Sequence, residues 1–263
     1  MNIRAHGVTD VGLVRAQNED SLVLLPESEL YVVADGMGGH NSGEVASQLT
    51  ISAMKSFYED PGLEERLREE HQEFRGQEGI PNAFSEYKLL RAVESANMTI
   101  FNTAQRFEAY REMGTTVVAV QIVKTRIYVA FVGDSRLYRF RDGKLEQLTE
   151  DHSLANEYVR MGVIRKEDVR TFPYRNVIVK ALGLGSVVET ETFYRGCKPG
   201  DLFLLCSDGL TDMVENEGIE EILSAADGDL EGANARLVDA AKAKGGVDNI
   251  TSLLVAIGEG EGE

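Results

Sequence analysis

Leu30-Tyr31-Val32-Val33-Ala34-Asp35-Gly36 is an unbroken apolar run that stops on an aspartate and a glycine. Short, nearly continuous apolar runs read as strands buried on both faces, so this one predicts a covered strand with a carboxylate at its end. The event repeats along the chain. Tyr128-Val129-Ala130-Phe131-Val132 runs into Gly133-Asp134, and Leu202-Phe203-Leu204-Leu205-Cys206 runs into Ser207-Asp208-Gly209. A fourth aspartate, in Asp248-Asn249, stands just before Leu253-Leu254-Val255-Ala256-Ile257. Carboxylates gathered from strand ends repel one another unless a cation holds them, so the pattern points to a hard-metal site.

Asp-Gly is also a common hairpin turn, because glycine tolerates positive φ and aspartate caps the turn. Asp142-Gly143, between Leu137-Tyr138-Arg139-Phe140 and Leu145-Glu146-Gln147-Leu148, reads as only that. The other four aspartates lie on apolar strand ends, three of them with no lysine or arginine beside them, and this favours the metal reading.

The 263 residues suffice for one large domain or two small ones. A formal charge of −17 argues against binding nucleic acid or an anionic membrane, whose phosphates it would repel. The longest apolar runs are strand-sized, well short of the roughly 20 residues that span a bilayer. Met1-Asn2-Ile3-Arg4-Ala5-His6 lacks a signal-peptide core, and two cysteines, Cys197 and Cys206, make no disulfide framework. A cytosolic protein is expected.

Residues 2–35 read as three strands, with turns at Asp10-Val11-Gly12 and near Pro26-Glu27-Ser28. Helical spacing follows over 44–58 and again over about 84–110, the second with Leu89, Val93, Ala96, Ile100, Ala104 and Phe107 on its buried side. The charged segment 60–82, with Pro61, Gly62, Gly76, Gly79 and Pro81, predicts a helix end and a solvated loop. From Thr115 to Leu148 the period falls to two, predicting an antiparallel meander of three or four strands. Residues 153–180 read as a surface flap carrying Arg160, Arg165, Lys166, Arg170 and Arg175. Strands at 187–195, 201–206 and 251–257 bracket helices near 216–226 and 230–244, and residues 259–263 form an acidic tail. The order fits an α+β layered sandwich, not a doubly wound parallel sheet.

The blocks Arg15-Ala16-Gln17-Asn18-Glu19-Asp20, Asp35-Gly36-Met37-Gly38-Gly39-His40 and Met113-Gly114-Thr115-Thr116 now match something specific. So do Val132-Gly133-Asp134-Ser135-Arg136, Leu148-Thr149-Glu150-Asp151-His152-Ser153, Cys206-Ser207-Asp208-Gly209-Leu210 and Asp248-Asn249-Ile250-Thr251. In this order they resemble the metal-dependent PPM protein phosphatases, type 2C, most closely the compact bacterial members. The resemblance implies a four-layer αββα sandwich of two antiparallel sheets flanked by helices, a single domain over residues 1–258. It implies hydrolysis of phosphoserine and phosphothreonine in proteins, with a metal-bridging hydroxide as nucleophile. Phosphorylated proteins, products of serine/threonine kinases, would be the partners. The sequence itself shows no sustained heptad or interface stripe, so a monomer is expected.

The same resemblance implies the site. Asp35 would bridge two ions, with the Gly36 carbonyl completing the first position and Asp208 and Asp248 holding the second. Oxygen-only ligands suit Mn²⁺ or Mg²⁺, not zinc. Asp134 with Asp208 resembles the ligands of a third, weaker ion. Glu19 and Asp20 resemble outer-shell acids that orient water, and Arg15 the phosphate-binding arginine, whose planar fork fits two phosphate oxygens. One position departs: animal members carry a histidine where this chain has Met37, which donates no proton. His40 reads as structural.

Other chemistries do not fit the sequence. A cysteine phosphatase needs arginine six positions after its cysteine, where this chain has Phe203 and Asp212. Asp227-Gly228-Asp229 begins like a calcium loop, but its twelfth position is Val238, so it reads as a helix start. A catalytically inactive adaptor of the same fold and a two-metal nuclease remain as alternatives. Intact Asp35, Asp208 and Asp248 speak against the first, and the negative charge against the second.

Overall fold

Alternation inside the apolar runs explains how the layers form. In the computed structural model, which describes residues 1–38 and 42–260, Leu30 and Val32 face one apolar cluster while Tyr31 and Val33 face another. A strand buried on both sides cannot show the polar alternation of a half-exposed one. The chain runs β1 (Asn2–Asp10), β2 (Asp20–Leu25), β3 (Leu30–Met37), α1 (Ser42–Glu59), α2 (Leu63–Phe74) and α3 (Phe84–Arg106). Next come β4 (Gly114–Thr115), β5 (Val117–Val123), β6 (Arg126–Val132), β7 (Arg136–Arg141), β8 (Lys144–Gln147) and α4 (Leu154–Arg160). Then follow β9 (Glu191–Gly196), β10 (Leu202–Cys206), α5 (Asp208–Thr211), α6 (Asn216–Ser224), α7 (Leu230–Ala243) and β11 (Ile250–Gly258).

Two antiparallel sheets result, ordered β1-β11-β10-β7-β8 and β2-β3-β5-β6-β9, with β4 on β3. Tyr31, Phe131, Phe203, Leu205 and Val255 fill the space between them. Leu89, Val93 and Ile100 of α3 cover the second sheet, and Ile219 of α6 with Leu237 of α7 cover the first. This is the expected α+β, four-layer αββα sandwich. Among the described residues no helix is long and apolar enough to cross a membrane.

Three expectations need correction. Segment 60–82 holds a separate full helix, α2, where only a helix end and a solvated loop are expected. Leu67 and His71 form its buried stripe at a spacing of four, and His71 stacks on Tyr87 of α3 with ring centroids 4.9 Å apart. Glu64 bonds Lys88 at 2.7 Å, so the charges that suggested solvent in fact tie α2 to α3. Phe107, expected on the buried side of a helix, lies beyond the end of α3 and is 54% exposed. The meander over 115–148 is also not one sheet: β5 and β6 belong to the second, β7 and β8 to the first. Gly133-Asp134-Ser135 carries the chain across. Gly133 has φ +104°, and an added Cβ would come within 2.6 Å of Thr116, so the crossing needs glycine. Asp142-Gly143 is the β7–β8 turn, both residues at positive φ. Asp229 caps α7 through the Gly232 N–H, as the helix-start reading expects.

Candidate active site

Strand register delivers the acidic residues to one end of the sandwich. Asp20 and Asp35 are directly paired across β2 and β3. Val33 pairs with Val118 and Val117 with Val132, which brings Thr116 and the Gly133-Asp134-Ser135 crossing to the same end. In the other sheet Cys206 lies between Arg136 and Ser252, so Asp208 and Asp248 emerge beside the crossing. Asp35, Asp20, Asp134, Asp208 and Asp248 are thereby neighbours despite their separation in sequence.

Backbone contacts fix this edge. The Asp35 N–H donates to Thr116 Oγ1 at 3.1 Å, and its carbonyl accepts from Thr115 Oγ1 and from the Thr116 N–H, both at 2.8 Å. The Gly36 N–H donates to the Glu19 carbonyl at 3.1 Å. An added Cβ at Gly36 would stand 2.0 Å from the Gly43 carbonyl, and one at Gly209 2.0 Å from the Asn249 carbonyl. Both glycines are therefore close-approach positions. Asn249 stitches the N-terminal loop down: its Oδ1 accepts from the Glu19 N–H at 2.8 Å, and its Nδ2 donates to the carbonyls of Val11 and Gln17 at 2.9 Å. Thr115, Thr116, Ser135 and Asn249 were visible only as members of quoted blocks. Their hydroxyl and amide groups were the available signal.

The electrostatics are those of crowded acids. Burial, then the charges of Asp20, Asp208, Asp134 and Asp248, raise the Asp35 carboxyl well above the usual range. Burial, then Asp134, Asp212, Asp248 and Asp20, do the same to Asp208. Asp134 and Asp20 are raised mainly by burial, as is Glu19. Asp20 Oδ2 accepts from Ser207 Oγ at 2.8 Å and Thr251 Oγ1 at 2.6 Å, while its Oδ1 and Asp134 Oδ1 are buried without a partner.

Asp248 is engaged differently. Its Oδ2 accepts from Arg15 Nη2 at 2.6 Å and its Oδ1 from the Asn249 N–H at 2.8 Å. The sequence reading gave Arg15 to phosphate and Asp248 to metal; the fold brings the two into direct contact. Met37 packs with its terminal methyl near Gly114, and His40 lies outside the described residues.

Among the described residues no three His, Cys, Asp or Glu side chains close into a cation cage. The carboxylates line an open mouth instead, where Asp134 and Asp208 share a cleft of about 460 Å³ with Arg136, Arg170, Asp212 and Lys244. The donor set still fits divalent cations of the Mg²⁺ and Mn²⁺ type. It is all oxygen, it keeps unpartnered buried carboxylate oxygens, and its members resist ionising together. The flap closes one side of the cleft through Arg170 on Glu215 at 2.5 Å and Asn176 on Asp212 at 2.9 Å.

Comparison with known proteins gives consistent results. A family model described as protein phosphatase 2C matches residues 15–239. The serine/threonine phosphatase stp of Listeria monocytogenes is 37% identical over 250 residues, covering 94% of this chain and 93% of that one. The crystal structure of the Mycobacterium tuberculosis serine/threonine phosphatase PstP/Ppp superposes with a TM-score of 0.84 at 34% identity, covering 98% of this chain and 99% of that one. A structure of the catalytic domain of PstP in complex with two manganese ions gives 0.81, also at 34% identity, with 98% and 99% covered.

Proposed function

We infer the work of each residue from one established premise: the chain belongs to the protein phosphatase 2C family. It is a metal-dependent serine/threonine protein phosphatase using Mn²⁺ or Mg²⁺. When bound, the metal ions supply the Lewis acidity that polarises phosphoryl oxygens and activates water for attack on phosphorus. The adaptor and nuclease alternatives draw no support from relatives named as phosphatases.

Asp35, the Gly36 carbonyl, Asp208 and Asp248 would hold a pair of ions, and Asp134 with Asp208 would hold a third, weaker one. Glu19 and Asp20 accept hydrogen bonds from water at the mouth and so orient it. Arg15 offers two N–H groups to the phosphate, steadying charge as the phosphorus–oxygen bond breaks. Met37 gives no proton to the leaving serine or threonine oxygen. One observation carries the assignment. Asp20, Asp35, Asp134 and Asp208 crowd onto one sandwich edge, and among the described residues no lysine or arginine forms an ion pair with any of them. Such crowding is costly unless external cations compensate it.

Substrates on this reading are phosphoproteins made by serine/threonine kinases, met by a monomer in the cytoplasm. The net charge of −17 supports the exclusion of nucleic acid and anionic membrane. The test is phosphate release from a phosphothreonine peptide with Mn²⁺, with EDTA, and with Asp208→Ala. Activity that needs the metal and collapses in the variant supports the assignment. Undiminished release by Asp208→Ala would refute it.

A further inference from the structure

His152 occupies a junction that the chemistry above does not use. It is 1% exposed and stacks on Phe131 with centroids 5.0 Å apart and planes 12° from parallel. Its Nδ1 lies 3.0 Å from the Gly133 amide nitrogen. A backbone amide can only donate, so Nδ1 carries no proton and the proton sits on Nε2, which donates to Glu191 Oε1 at 2.9 Å. Both ring nitrogens therefore specify the same neutral tautomer.

The backbone of His152 extends the brace. Its N–H donates to the Gly133 carbonyl at 2.9 Å, and its own carbonyl accepts from the Val179 N–H at 2.9 Å. One residue on, Ser153 bridges Ile178, and the Leu154 N–H donates to the Val177 carbonyl at 2.8 Å. These are the two roots of the flap. On the other side, Gly133 precedes Asp134 and Ser135, and Ser135 Oγ lies 2.7 Å from the Thr116 Oγ1 that receives the Asp35 N–H.

We propose that His152 is a positioning residue that locks the turn carrying Asp134 to both roots of the flap, its side chain holding the turn and its main chain the flap. The imidazole touches neither substrate nor metal. It acts by holding the Gly133 amide, which fixes the turn that aims Asp134, while its main chain clamps the flap where it leaves and rejoins the body.

Two substitutions separate ring packing from hydrogen bonding. His152→Phe keeps the aromatic stack and removes the acceptor; His152→Asn places an amide oxygen near the position of Nδ1. Amide hydrogen exchange on the full chain is the primary readout and needs no metal or substrate. In His152→Phe the amides of Gly133, Leu154 and Val179 are expected to exchange together roughly tenfold faster or more, while His152→Asn, which keeps the acceptor and loses only the Nε2–Glu191 bond, accelerates them no more than about threefold. Acceleration confined to 133–135, or equal acceleration in both variants, overturns the proposal. Should His152→Phe fail to fold, Glu191→Ala removes the partner of Nε2 at a partly exposed edge-strand position. The same amides should then accelerate roughly threefold, and no change there also overturns the proposal. A kinetic arm rests on the functional reading above: kcat/KM for a phosphothreonine peptide should fall more than for p-nitrophenyl phosphate, which has no peptide to lie along the flap. Absence of all turnover in wild type would sink the functional reading and leave the exchange result to decide on His152.

Discussion

Asp20→Asn should stabilise the metal-free protein while weakening the enzyme. Asp20 and Asp35 are cross-strand partners, which places their Cβ atoms about 5 Å apart. Coulomb's law at that separation and an effective dielectric near 20 gives about 3 kcal/mol of repulsion between two carboxylates. Because the pair can share a proton, roughly half of this, about 1–2 kcal/mol, should be recovered when one charge is removed. The amide oxygen can still accept from Ser207 and Thr251, and its NH₂ can donate to the Asp35 carboxylate, which lies within hydrogen-bonding reach of the Asp20 side chain. For a chain of this size each kcal/mol moves Tm by about 2–4 °C, so a rise of roughly 2–8 °C is expected.

The pH dependence is the sharper part of the test. Burial pushes the Asp20 carboxyl up from 3.8 to about 6. A carboxyl raised on folding gives stability that is present at low pH and lost as pH rises through its folded-state value. Circular dichroism melts after chelation should therefore show wild type and variant close together at pH 5 and separating in favour of the variant by pH 8. Phosphate release with Mn²⁺ should meanwhile fall about 10–100-fold, the usual loss when an outer-shell group is removed. A variant less stable than wild type at pH 8, or a gap independent of pH, would refute the reasoning.

Gly209→Ala would drive a Cβ to 2.0 Å from the Asn249 carbonyl, displacing the segments that carry Asp208 and Asp248, and should cost about 100-fold in kcat/KM. Arg141→Ala strands Asp201, whose side chain is 0% exposed, and should cost about 3–5 kcal/mol by urea unfolding. Phe203→Ala, in the layer between the sheets, should cost about 3–5 kcal/mol by the same method. Burial holds the His152 imidazole below its ordinary value of 6.5 against the opposing pull of Glu191, so the unfolded chain takes up that proton first. Wild type should accordingly lose stability relative to His152→Asn as pH falls below 6.5, a difference readable from paired thermal melts.

What the sequence made legible, and what it hid, follows from the range of each interaction. The aspartates could be read because a doubly buried strand leaves an apolar run and its end is marked by Asp-Gly. Helix α2 was hidden because its packing stripe is only Leu67 and His71, outnumbered by charges whose partners, such as Lys88, lie in another helix. The β6–β7 crossing was absorbed into one meander because the period-two pattern resumes directly after it; only the sandwich shows that the two sides feed different sheets. Arg15 and Asp248 are 233 positions apart, and no local pattern could announce their contact.

The seam between the sheets also explains why the polar groups around the carboxylates matter as much as the carboxylates. Asp20 and Asp35 belong to one sheet; Asp208 and Asp248 extend from strands of the other. Neither sheet alone assembles the mouth. Ser207 and Thr251, from the first sheet's side, reach across to Asp20 Oδ2 on β2, and Ser135 meets Thr116 across the same gap at 2.7 Å. Asn249 adds a third crossing through the Glu19 N–H. Apolar attraction between the two sheets is non-directional, whereas a hydrogen bond is confined to a narrow range of distance and angle. The hydroxyl crossings therefore set the register of one half of the site against the other. A phosphatase built on this seam needs them to hold its acids at a spacing that suits the cations, and the interior apolar layer to keep that spacing dry.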